Sequence, residues 1–143
     1  MTDNMIAAQV GIQALYSRYC FGLDGHDPDL LADCFEADGV FAVGETEFVG
    51  HEPIRAIASK EGPRPRHHYT NLWVKSVDGD DAVSTAYFLV VDLDSGATAG
   101  YGHYDDTVRR GADGTWRFAR RQIDFHWQSE EYRSHTASVT KSK

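Results

Sequence analysis

Apolar residues recur with a helical period near the start of the chain and with a strand period over its second half. Ile12, Leu15, Tyr16, Tyr19, Cys20 and Leu23 fall on one stripe, predicting a helix over about residues 5–24. Gly25 follows at the left-handed position that commonly ends a helix, which puts Asp24 in the last turn. A carboxylate there meets the negative end of the helix dipole, and a broken local rule is a hint of function. Asp27-Pro28 reads as an N-cap with proline at the first helical position. Leu30, Leu31, Cys34 and Phe35 give that short helix its buried face. Asp38-Gly39 turns the chain into a short apolar strand, Val40 to Val43, with residues 45–49 pairing back on it. Pro53 opens a third helix with Ile54 and Ile57 inward. Pro63 and Pro65 end it.

From His67 onward the pattern is that of strands. Residues 67–77, 82–93, 98–110 and 116–127 are four long runs, separated by turn sequences at Asp78-Gly79, Asp94-Ser95-Gly96 and 111–114. Helices first and an antiparallel meander afterwards predict an α+β domain with the helices on one sheet face. Trp116 and Phe118 are in phase with each other, whereas Ile123 and Phe125 are in the opposite phase. A one-residue bulge near Arg120 restores the alternation, bends the sheet and brings Arg121 to the inner face with Ile123 and Phe125. Residues 128–143 are polar and lack periodicity, so the domain is expected to end at 127 and a flexible tail to follow.

Composition narrows the classes. The chain has 143 residues, enough for one domain with a core that needs no disulfide or metal. The formal charge of −8 opposes nucleic-acid binding, which rests on Lys and Arg neutralising phosphates. Cys20 and Cys34 lie on apolar helix stripes and read as small buried hydrophobes rather than a disulfide framework. No signal-peptide pattern and no run of membrane-spanning length is present, so a cytoplasmic location is expected. The seven histidines form neither the H-x-H nor the H-E-x-x-H spacing, so no metal and no cofactor is expected. His103-Tyr104-Asp105-Asp106 is a polar patch on the third long strand to which the sequence assigns no role beyond pocket lining by Tyr101, His103 or Tyr104.

Several segments together carry a family resemblance. They are residues 19–27 at the end of the first helix, Phe35 to Val40, Gly50-His51-Glu52-Pro53-Ile54, Arg66-His67-His68-Tyr69-Thr70-Asn71, and Asp113 to Phe118. The chain resembles the SnoaL-like branch of the NTF2-like superfamily over roughly residues 6–127. The resemblance implies a curved, mostly antiparallel sheet wrapped as a cone around three helices, with a deep apolar pocket. It also implies a homodimer or homotrimer. The pattern is most like the group of scytalone dehydratase, bile-acid dehydratase and hexachlorocyclohexane dehydrochlorinase. In that group an Asp at the end of helix one pairs with a His opening the first long strand; here these are Asp24 and His67. The same resemblance places Tyr19 and Arg121 as further catalytic residues. It brings Asp92, with Tyr69, Tyr104 and Phe125, to the substrate. Leu23 stands where scytalone dehydratase has a tyrosine, which separates this chain from a scytalone substrate.

The residue types suit elimination of water or HX beside an acidic C–H. Histidine titrates near neutrality and serves as base. A carboxylate behind it fixes the tautomer and stabilises the imidazolium. Arginine stabilises developing negative charge, and Tyr19 can donate to a leaving oxygen. Two functions follow: a cofactor-independent lyase, or related isomerase or cyclase, acting on a small apolar cyclic or polyketide-like substrate; or a non-catalytic module that binds a small ligand or a partner subunit. A pocket filled by Trp73, Tyr87 and Phe88, with His67 exposed, is the mark of the module.

Overall fold

The computed structural model describes residues 1–59 and 64–141. Helix α1 spans Asp3–Asp24, with Thr2 capping the Met5 N–H at 3.2 Å. Its buried face carries Ile12, Leu15, Tyr16, Tyr19 and Cys20 of the expected stripe together with Ala8, while Leu23 is only partly buried. Gly25 does not take the left-handed conformation expected of it; its φ is −89°, and His26 takes that role at +49°. The N–H groups of Gly25, His26 and Asp27 instead cap carbonyls of α1, at Phe21, Leu23 and Gly22. Helix α2, Pro28–Asp33, starts at the Asp27 cap as its sequence dictates. Gly22 lets it lie close against α1, since a Cβ there would come 2.9 Å from the Leu31 nitrogen. Helix α3, His51–Ala58, begins two residues before Pro53 and buries Ile54. The proline break after it falls largely outside the described residues.

Strands β1 (Phe35–Val43), β2 (Thr46–Val49), β3 (Pro65–Asp78), β4 (Asp81–Asp92), β5 (Thr98–Arg110) and β6 (Trp116–Gln128) form one six-stranded sheet ordered β2-β1-β6-β5-β4-β3. Every pairing is antiparallel except β1 with β6. Helices α1 to α3 precede the four long strands, and α1 packs along β3 on the inner face. This is the α+β architecture the patterning predicts: a curved, open sheet with its core between sheet and helices. No helix among the described residues is long and apolar enough to cross a membrane.

Bulges curve the sheet and decide which side chains face inward. On β6, Thr107 pairs with Arg120 but Val108 with Phe118, leaving Ala119 as the extra residue. The phase reversal therefore has the cause its sequence implies, and Arg121 turns into the core. On β3, Asn71 adopts a positive φ of 58° at a register shift, which sends Trp73 outward. The segment expected to be a flexible tail is helix α4, Glu130–Lys141. Ser129 caps it by accepting the Tyr132 N–H, and Tyr132 is buried against Phe125. One anchoring aromatic and an N-cap replace the apolar periodicity that the sequence lacks.

The inward Arg121 is fully buried and pairs with equally buried Asp106 on β5: Nε and Nη2 reach the two carboxylate oxygens at 3.0 and 2.8 Å. The Tyr16 hydroxyl donates to the same carboxylate and lies 3.1 Å from the Ser84 hydroxyl. Rings of Tyr16, Tyr19, Tyr104 and Phe118 surround the guanidinium, their centroids 3.7–4.3 Å from its carbon. Burial pushes the Asp106 carboxyl upward against the pull of Arg121 and Tyr16, while Asp106 holds the guanidinium charged. Among the described residues, the buried Arg121 Nη1 and Tyr104 hydroxyl have no hydrogen-bond partner. Removing one member of such a pair strands a charge in the core, at a cost of about 3–5 kcal/mol. Asp106→Asn should lose about that much stability in urea denaturation, and the double variant Arg121→Met/Asp106→Leu distinctly less. An Asp106→Asn variant as stable as the parent would show that the pair carries no such weight.

Candidate active site

Asp24 ends α1 directly opposite the first residues of β3. Its Oδ1 lies 2.6 Å from His67 Nδ1, and its Oδ2 accepts the His67 backbone N–H at 2.8 Å. One carboxylate thus holds both the ring and the main chain of a single residue. The side chains are only 9% and 11% exposed. The unfavourable dipole position of Asp24 is offset by these charge-assisted bonds. Because the carboxylate accepts from Nδ1–H, the neutral imidazole keeps its lone pair on Nε2. Nε2 makes no hydrogen bond to the protein among the described residues and is the nitrogen available to a ligand.

Beside the pair lies a cleft of about 630 Å³, within the range of small-ligand sites. It opens to solvent on one side rather than being enclosed. Its walls include Cys20, Phe21, Tyr69, Val91 and Leu93, with Ser17 and Arg66 as polar contributors. The lining is mostly apolar. Burial pushes the Cys20 thiol up to about 12, so it stays protonated and is not a nucleophile.

The remaining expected residues divide between wall, rim and core. Tyr69 lines the cleft, stands edge-on to Tyr16 and reaches the Gln13 carbonyl with its hydroxyl at 3.4 Å. Asp92 is at the rim, but its carboxylate is committed to the following turn. It accepts the Ser95 hydroxyl and N–H at 2.6 and 3.1 Å, bonds that hold it below the usual carboxylate range. Phe125 packs between Phe88 and Tyr132 and is not part of the cleft wall. Tyr104 is buried and stacked on Phe88 with centroids 4.6 Å apart. Tyr19 and Arg121, expected at catalytic positions, are at most 1% exposed and sit in the core behind Cys20. The physical reason is Asp106: it faces inward from β5 and draws the guanidinium into the core instead of toward His67. Tyr101 and His103 lie on the outer sheet face and line nothing inside.

Sequence reasoning missed Asp106 and Tyr132. Alternation along β5 marks Asp106 as inward, between Tyr104 and Val108. Ser129-Glu130-Glu131 is a helix start, with a cap and an acidic first turn, which would have rescued Tyr132. Burial raises the Tyr132 hydroxyl, and the charge of Asp24 adds to the effect.

Among solved structures, the fold matches a protein of unknown function from Mycobacterium tuberculosis at 25% identity, covering 98% of this chain and 92% of that one with a TM-score of 0.89. A Novosphingobium aromaticivorans protein provisionally named an aromatic ring hydroxylase is 32% identical, with 82% and 88% coverage and a TM-score of 0.69. The hexachlorocyclohexane dehydrochlorinase of Novosphingobium barchaimii shares the fold at 21% identity, 87% and 90% coverage and a TM-score of 0.74. No functionally curated protein matches the chain. Residues 4–122 match the SnoaL-like domain. With that match running from α1 through the inner strands and across the Asp24–His67 pair, the chain belongs to the SnoaL-like domain family.

Proposed function

We propose that this protein is a cofactor-independent lyase that eliminates water or a similar leaving group from a small apolar, cyclic or polyketide-like substrate. The Asp24–His67 contact carries this reading. His67 Nε2 takes a proton from a carbon made acidic by a neighbouring carbonyl. The C–H electron pair becomes the new C=C bond as the β C–O bond breaks, and the proton on Nε2 leaves with the hydroxyl as water. Asp24 stabilises the imidazolium between the two steps. Isomerase or cyclase chemistry would use the same proton transfer with a different fate for the electron pair. Tyr69 and the apolar wall hold the ring system. Arg121 and Tyr19 are left out of the reacting set because neither reaches the cleft.

The arrangement of aromatic residues supports an enzyme over a plain binding module. Trp73 and Tyr87 are 62% and 59% exposed on the outer face, Phe88 is buried against Tyr104, and none of the three lines the cleft, while His67 is shielded. The likeness to a provisionally named ring hydroxylase keeps the module as the second reading, since the small subunits of ring-hydroxylating oxygenases have this fold and no chemistry of their own. The proposal extends to self-association. Tyr87, Leu89, Tyr101 and Trp127 form a contiguous outward apolar row across β4, β5 and β6, and exposed patches of this kind mark interfaces. A second copy of the chain, presenting the same row, is the occupant proposed.

With a panel of hydroxy-ketones and phenolic polyketides, His67→Ala and Asp24→Asn should each lower kcat by at least ~10² while circular dichroism stays native. Full activity in either variant would remove the lyase reading, and ligand binding without turnover in the parent would favour the module. Light scattering should give a multiple of the 16.0 kDa chain mass, with Tyr87→Arg shifting the protein toward monomer. A monomeric parent protein would end the oligomer proposal.

A further inference from the structure

On the outer face of the sheet, away from the cleft, β5 and β6 bring four polar side chains together. His103 and Asp105 alternate outward on β5, and Asp124 and His126 do the same on β6. His103 pairs in register with Asp124. His126 is the extra residue of a bulge, since Tyr101 pairs with Trp127 and Gly102 with Phe125. Gly102 permits that irregularity: a Cβ there would come 2.0 Å from the Asp124 carbonyl oxygen. The bulge turns His126 toward His103, and the two rings meet with His126 Nε2 2.8 Å from His103 Nδ1.

The other nitrogen of His103 faces both carboxylates. Its Nε2 lies 3.1 Å from Asp105 Oδ2 and 3.7 Å from Asp124 Oδ2, and the three ligand atoms are all within 4.8 Å of one another. Metal–ligand bonds of about 2.0–2.2 Å around a tetrahedral ion set ligand atoms roughly 3.3–3.6 Å apart. The two separations from Nε2 bracket that range. Among the described residues neither Asp105 nor Asp124 forms an ion pair with a lysine or arginine; the Gln122 amide donates to Asp124 Oδ1 at 3.3 Å and leaves Oδ2 facing His103. Arg120, also outward, is engaged with Glu47 and Gln122.

We infer that His103, Asp105 and Asp124 bind a divalent transition-metal ion, for which Zn²⁺ suits the mixed nitrogen and oxygen set. His126 acts from behind. By accepting the His103 Nδ1–H, it fixes the tautomer whose Nε2 lone pair points at the ion, a role that a carboxylate, a backbone carbonyl or water more often takes behind a metal-bound histidine. The fourth position faces solvent. Two ligands come from an H-x-D stretch of β5 and the third from β6, where His126 stands two residues after it, so no contiguous spacing in the chain discloses them.

The test uses the full chain without a histidine tag, stripped with EDTA and titrated with ZnCl₂ by calorimetry and thermal shift. One Zn²⁺ per chain should bind and raise the melting temperature, and Mg²⁺, which prefers octahedral oxygen ligands, should not replace it. His126→Ala should weaken binding by about 10–100-fold, and Asp124→Asn and His103→Ala should weaken it further. His67→Ala should leave the zinc isotherm unchanged, separating this site from the Asp24–His67 pair. Absence of zinc binding overturns the inference. So does an isotherm that survives Asp124→Asn and His103→Ala, or one that is lost only in His67→Ala. If His103→Ala fails to fold, Asp124→Asn and His126→Ala decide the matter.

Discussion

The Asp24 carboxylate is the contact on which the candidate site depends. Its two oxygens take two hydrogen bonds from one residue, and that residue opens β3. Helix end and strand start are therefore registered to each other by a charge, not only by apolar packing. An apolar contact would leave the imidazole free to rotate; a carboxylate with short bonds to ring and backbone does not. The orientation of Nε2 toward the cleft is a consequence of where α1 stops.

The interior contains a second organising charge, and it explains why Arg121 and Tyr19 stand in the core and not among the residues lining the cleft beside His67. Arg121 enters the core because β6 gains a residue at Ala119. Once there it needs a partner, and the inward Asp106 supplies it with matching geometry. The aromatic rings around the guanidinium add cation–π attraction in a place where water is excluded. The pair is thus a fixture of the sheet-to-helix packing. The same residue types that serve chemistry when they line a cleft serve architecture when they face one another behind it.

Much of this was legible in the chain because it depends on local rules. The stripe of α1, the Asp27-Pro28 start of α2 and the phase reversal in β6 each follow from spacing alone. The Asp24–His67 pairing came from the family resemblance, and the structure gives it a geometry. What stayed hidden depends on register between strands. Whether Arg121 meets His67 or Asp106 is decided by which β5 residue lies across from it. The outward turn of Trp73 follows from the left-handed Asn71, a conformation its sequence neighbours do not announce. The His103 cluster is assembled by a bulge at His126. Helix α4 was missed for a different reason: among its described residues it is held by a cap and a buried ring, which periodicity does not detect.

The strand that carries His67 is the outermost of the sheet. An edge strand presents alternate backbone donors to whatever passes, and unguarded edges invite pairing with other chains. The His67 N–H is one of those donors, and Asp24 already occupies it. The carboxylate that orients the imidazole is also an edge guard: it blocks strand addition at the point where the cleft must remain open. Edge protection and imidazole orientation therefore rest on one carboxylate, Oδ2 serving the first and Oδ1 the second.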